Sequence, residues 1–179
     1  MLGLSIPRIA ELVRPLLRLP VVYKNTADST AITGATEADT IFDTYHTVPA
    51  NTLRAGSIIR CHAIGQHTAT TGSESNTTQL KVGTVSIAST GVADPADNDI
   101  FVFNYEIIIR TIGAGGTLTA QGYRIHGASG TGTARPTLLG STTIDTTGAL
   151  TVGVWMDRQT TATDSDSAVL RTITVEVVY

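Results

Sequence analysis

Beyond residue 20 the chain alternates apolar and polar residues with a period of two, the pattern of half-buried strands. The longest run, DIFVFNYEIIIRTI at 99–112, places Phe101, Phe103, Tyr105, Ile107 and Ile109 on one strand face. Three closing runs, TLLGSTTIDTT, ALTVGVWMDRQ and AVLRTITVEVVY, lie within 137–179 and are joined by short loops of Gly, Thr, Ser and Asp. Earlier runs predict strands at 21–26, 40–48, 57–65, 77–83, 84–89 and 117–127. Between them, 27–39, 48–57, 72–76, 90–99, 113–116 and 128–136 read as turns or loops. About nine or ten strands at this spacing, with no helices of about 10–15 residues between them, predict an antiparallel sandwich rather than a parallel sheet. The expected architecture is all-β, a single jelly-roll domain over 21–179, with a short N-terminal helix.

Residues 1–20 follow the helical period instead. Ser5 suits a cap and Pro7 a first turn. Over 5–18, Ile6, Ile9, Leu12, Val13, Leu16 and Leu17 share one face, while Arg8, Glu11, Arg14 and Arg18 occupy the rest. Pro15 should kink the helix or end it early, and Pro20 confirms the stop. So short a helix needs a surface under its stripe, either its own sandwich or a neighbouring subunit. Its charges break the apolar run, so neither a signal peptide nor a membrane span is expected. Three arginines and a short stripe also give little affinity for a membrane surface.

Composition shifts the picture from chemistry toward contact. Charged residues make up 15% of the chain, well below the usual quarter, and 31 Thr and 17 Gly take their place. Threonine keeps a strand face polar without charge. With two Lys and ten Arg, the surface loses little side-chain entropy when covered. That suits permanent contacts between copies. A net charge of −3 gives no basic footprint for nucleic acid. The one cysteine, Cys61, excludes an internal disulfide and alternates with Ile59 and Ala63, as a buried free thiol would.

Candidate chemistry is thin. GASGTG at 127–132 is followed by Thr133-Ala134-Arg135-Pro136, not the Lys-Ser/Thr of a phosphate loop. His46, His62 and His126 fall on different strands with no zinc spacing. Asp94, Asp97 and Asp99, and Asp164 and Asp166, do not follow a calcium-loop pattern. No nucleophile elbow is present. Arg60 and His62 share a strand face, as do Arg124 and His126, and read as polar-face or interface residues. Glu106 reads as a buried or interface carboxylate. With one Trp and 5% aromatics, a stacking platform for sugars is poorly supplied. No catalytic, metal or cofactor residues are therefore assigned, and an enzyme is not expected.

The connector Val48-Pro49-Ala50-Asn51-Thr52-Leu53-Arg54-Ala55-Gly56-Ser57-Ile58-Ile59-Arg60 resembles an element of jelly-roll proteins in tailed-phage particles, two strands around an Ile-Pro-Ala-Asn-Thr-Leu-x-x-Gly core. The closing stretch resembles the same group: Thr143-Ile144-Asp145-Thr146-Thr147, a strand bearing Trp155, a polar loop at 160–167, then Leu170-Arg171-Thr172-Ile173-Thr174-Val175-Glu176-Val177. This resemblance covers most of 40–179. It implies a virion structural protein on the head or tail surface, a homotrimer that cements or decorates the capsid. The implied partners are other copies of itself and the major capsid protein or other virion proteins, with no nucleic acid and no membrane. The alternative is a receptor- or host-glycan-binding module of a tail or fibre, using loops 66–76, 90–99, 127–136 and 159–167. Interface residues expected from the sequence are Ile6, Ile9, Leu12, Val13, Leu16, Leu17, Arg60 and His62. Strand 99–112 also carries more aliphatics than one inward face requires. Some of Ile100, Val102, Ile108 and their neighbours are therefore expected under another subunit or the second sheet.

Overall fold

A computed structural model describes residues 20–33, 39–68, 76–91, 97–128, 132–158 and 167–179. The expected helical arm, with its stripe from Ile6 to Leu17, lies outside the described residues. Twelve strands follow in chain order: β1 (Val21–Asn25), β2 (Ile32–Thr33), β3 (Thr40–Ile41), β4 (His46–Val48), β5 (Ile58–Thr68), β6 (Asn76–Val82), β7 (Val85–Ser89), β8 (Asp99–Thr111), β9 (Gly116–Ala128), β10 (Thr133–Ile144), β11 (Leu150–Arg158) and β12 (Ser167–Val178). They form two antiparallel sheets. The wide one runs β1-β12-β5-β8-β9-β10, with β2 also on β12. The narrow one runs β3-β11-β6-β7, with β4 also on β11. The chain is an all-β sandwich, and no helix occurs among the described residues.

The period of two decides which side chains meet. Ile59, Cys61 and Ala63 of β5, Phe101, Phe103, Tyr105, Ile107 and Ile109 of β8, and Ile173, Val175 and Val177 of β12 point at the narrow sheet. That sheet answers with Leu80, Val82, Val152, Val154 and Met156. The rings of Phe42 and Phe103 flank Phe101 at 6.0 and 6.3 Å between centroids. Gly65 faces Phe101 across β5 and β8. A Cβ at Gly65 would fall 1.9 Å from the ring, so the phenyl group occupies the space that a side chain would take.

Several segments differ from the sequence pattern: β2 falls inside the loop expected at 27–39, and β5 runs past 65 to Thr68. The single strand expected at 40–48 is β3 and β4 with an irregular stretch between them. There Phe42 is fully buried and donates its N–H to Val154 O at 3.0 Å, and the Asp43 carboxylate accepts the Thr30 N–H at 3.1 Å. These bonds replace a continuous ladder. The loop expected at 128–136 ends early, because β10 already starts at Thr133. Pro136 fits inside it since β10 is the last strand of the sheet and loses no neighbour to the missing N–H.

The connector between β4 and β5 explains its own sequence. Asn51 takes φ 58° and Gly56 φ 90°. Thr52 Oγ1 donates to Pro49 O at 2.7 Å, Arg54 N to Ser57 Oγ at 2.9 Å, and Gly56 N to Ile109 O at 2.7 Å. Leu53 closes the core beneath it.

Cys61 is buried, and burial pushes its thiol up to about 12, against about 8.5 for an exposed thiol. The raised folded value means that its contribution to stability is complete below the unfolded value and is lost as pH rises toward the folded one. The folded chain is therefore expected to resist alkylation at pH 8, and denaturant to expose one reactive thiol. Rapid labelling of the native protein, followed by mass spectrometry, would contradict this packing.

Candidate functional site: the open face of the wide sheet

The narrow sheet covers one face of the wide sheet, and no strand among the described residues lies over the other, called the open face below. Strand register sorts that open face into rows. One runs Val22–Glu176–Arg60–Glu106–Gln121–Leu138 across all six strands. The next runs Lys24–Thr174–His62–Asn104–Tyr123–Pro136. Flanking these polar rows are two aliphatic ones. Val178, Ile58, Ile108 and Thr119 lie on one side, and Thr172, Ile64, Val102, Ile125 and Ala134 on the other.

The charged row is a connected ladder. Arg60 donates from Nε to Glu106 Oε2 at 3.1 Å and from Nη1 to Glu176 Oε2 at 2.9 Å. Gln121 Nε2 donates to the other oxygen of Glu106 at 3.5 Å. Bonds to Glu176 first and Glu106 second raise the Arg60 guanidinium above its ordinary value. Half-exposed pairs of this kind add little to stability. Their effect here is to hold two carboxylates and one guanidinium in a fixed order across three strands. Beside them Asn104 Nδ2 donates to the Tyr123 hydroxyl at 3.2 Å. Asn104, Glu106, Gln121, Gly122, Tyr123 and Pro136 line a shallow depression.

The aliphatic rows are the unusual feature. Ile58, Ile64, Ile108, Ile125 and Val178 are half-buried and Val102 is 9% exposed, although among the described residues no second sheet lies over them. Leu138 and Val22 stand at the two ends of the charged row with 78% and 59% exposure. Val102 and Ile108 therefore do not lie under the narrow sheet, one of the two covers expected from the sequence. Arg60 and His62, expected at an interface, do lie on this face, in adjacent polar rows. The sequence identified neither the β9 and β10 members of the rows nor the ladder, because cross-strand register is not encoded in local alternation.

The remaining candidates do not converge. His46 stacks on Tyr23 at 5.5 Å, and burial lowers its pKa. His126 meets His67 edge-to-face at 5.7 Å near the Asp99 end of β8. Burial lowers the His126 pKa, with Asp99 acting the other way. The sequence had not paired these two. Among the described residues no group of three or more His, Cys, Asp or Glu could hold a metal ion. Glu106 is half-buried within the ladder. GASGTG leads from β9 to β10, so its context is a strand hairpin. Asp94, Asp164 and Asp166, with much of the loops expected to bind a receptor (69–75, 92–96, 129–131 and 159–166), lie outside the described residues. No helix among the described residues is long and apolar enough to cross a membrane.

No protein family and no curated protein matches this chain. Among solved structures it is similar to lectin I from Ulex europaeus, crystallised with the methyl glycoside of α-L-fucose: TM-score 0.39 and 10% identity, covering 89% of this chain and 98% of the lectin. It is also similar to winged bean acidic lectin complexed with methyl-α-D-galactose, at TM-score 0.38 and 9% identity, again over 89% of this chain and 98% of the other. At these values no ligand or site is carried over to this chain.

Proposed function

We propose that the protein is a non-enzymatic structural component of a virus particle, which assembles as a homotrimer and decorates or cements the particle surface. The observation that carries the assembly part is the pair of aliphatic rows on a sheet face that no second sheet covers. Aliphatic side chains gathered in rows on the outer face of a sheet are candidates for contact with another molecule. The ladder between the rows adds direction, since charge order across an interface selects the partner's register. The virion setting draws on the resemblance of Val48–Arg60 and the closing strands to jelly-roll proteins of phage particles. Many copies would multiply a modest contact by avidity. Mass spectrometry of purified particles tests the setting. The chain should be present in stoichiometric amounts, and its absence from intact particles removes this function.

One observation favours a second reading, a glycan-binding module. The depression combines a carboxylate, two amides and a phenol, which are groups that bond sugar hydroxyls and stack on a sugar face. Under this reading Tyr123→Ala abolishes binding on a glycan array and leaves the oligomeric state unchanged. Absence of array binding by the intact chain removes it.

A further inference from the structure

We propose that His67, His126 and Asp99 form an acid-sensitive latch that holds the ends of β5, β8 and β9 together and loosens them when the two imidazoles take up protons. The device is independent of the assembly reading, because it lies on the inward face of the wide sheet. Its first support is position. The inward series of β5, Ile59, Cys61, Ala63 and Gly65, ends on His67, which is 1% exposed. The inward series of β8 starts on Asp99, 7% exposed, and continues with Phe101. His126 of β9 stands opposite Phe101. The strand period thus places three titratable groups where the rest of this face carries mainly hydrocarbon. The Phe101 ring separates them from the core, meeting His67 at 5.2 Å on one side and Phe42 at 6.0 Å on the other. The Asn98 N–H bonds the His67 carbonyl at 3.0 Å and ties the start of β8 to the end of β5.

Charge is the second support. With both imidazoles neutral, the charges that act on His126 are Asp99 and Arg124, one of each sign. The two rings are 5.7 Å apart between centroids. Protonating both adds two positive charges against a single buried carboxylate, and like charges this close disfavour each other. Among the described residues no further group offsets them. Thr133 of β10 lies opposite His126, and Arg135 of β10 opposite Arg124 adds to the positive side. Ala168 of β12 lies opposite His67, and β7, which packs against β9, carries no charged residue. Asp97 at the same end is exposed and bonded to Asn98. His126 Nε2 is buried with no hydrogen-bond partner among the described residues. An imidazolium donates from both nitrogens, so that N–H stays unsatisfied until the strand ends part.

The direction follows from linkage. Burial holds the His126 pKa below its ordinary value, with Asp99 opposing and Arg124 assisting. The opened state therefore binds more protons below about pH 6.5. The latch is at full strength above that pH and weakens as pH falls toward the folded value.

Hydrogen exchange of the full chain, corrected for the intrinsic effect of pH on exchange, tests this. Between about pH 7.5 and about pH 5.5, amides at 66–68, 99–101 and 126–128 should lose protection about 10-fold or more, the factor for one unit of pKa difference between shut and open states. Core amides at 105–109 and 173–177 should keep theirs. The loss should vanish in the double variant His67→Gln/His126→Gln. It should remain in His46→Gln, which removes the other histidine whose pKa burial lowers. Imidazole NMR of the unaltered chain should show His126 protonating over the range in which the strand ends open. A loss that persists in the double variant, spreads equally to 105–109, or sets in while both imidazoles are still neutral overturns the latch. Protection that does not change with pH overturns it as well.

Discussion

Gly122→Ala is expected to be the most damaging single methyl addition in the sandwich. Gly122 sits in β9 opposite Tyr105 of β8. A Cβ there would lie 2.1 Å from the Asn104 carbonyl oxygen and 2.8 Å from Tyr105 Cα. Both atoms are backbone of a central strand, so no rotamer change makes room. The two strands would have to part, and overpacking of this kind costs about 3 kcal/mol or more, roughly 6–12 °C of melting temperature in a domain of this size. Gly140→Ala is the matched control, because nothing lies within 4 Å of its added Cβ. Its melting temperature should be unchanged or slightly higher, as a less flexible unfolded chain favours the native state. Calorimetry of the two variants checks the pair. Equal melting temperatures would show that β8 and β9 do not approach as described.

Ile108→Lys is expected to act on the opposite quantity. Ile108 points away from the core, between Ile58 and Thr119 on the open face. In a lone subunit the new ammonium reaches water, so folding should be retained. In an assembled state it would be buried without a partner, at about 3–5 kcal/mol, which weakens association by at least about 100-fold. Circular dichroism should be unchanged while sedimentation shifts to the monomer. A variant that assembles like the parent places the interface elsewhere.

The sequence made the fold class legible because one buried face per strand writes a period of two into the chain. β8 is the clearest case, with Phe101, Phe103, Tyr105, Ile107 and Ile109 inward as read. β10 was cut short because Pro136 punctuates a strand only where its N–H would be needed, and an edge strand does not need it. The interrupted segment at 40–48 was invisible for another reason. Its break is held by Asp43 bonding Thr30, a contact across 13 residues that no local pattern records. The site was half legible. Arg60 and His62 stood out because they share a face, and the surplus of aliphatics in β8 pointed to apolar residues on its second face. What joins them to Glu176, Gln121, Tyr123 and Ile125 is the register of three neighbouring strand pairs. A sequence without relatives to compare does not carry that register in readable form.

The central claim is that the open face of the wide sheet is buried between copies of this chain. Sedimentation velocity of the unaltered full chain across micromolar concentrations tests it most directly. The predicted result is a concentration-dependent oligomer with a trimer as its principal species. A single monomer boundary at every concentration would contradict it.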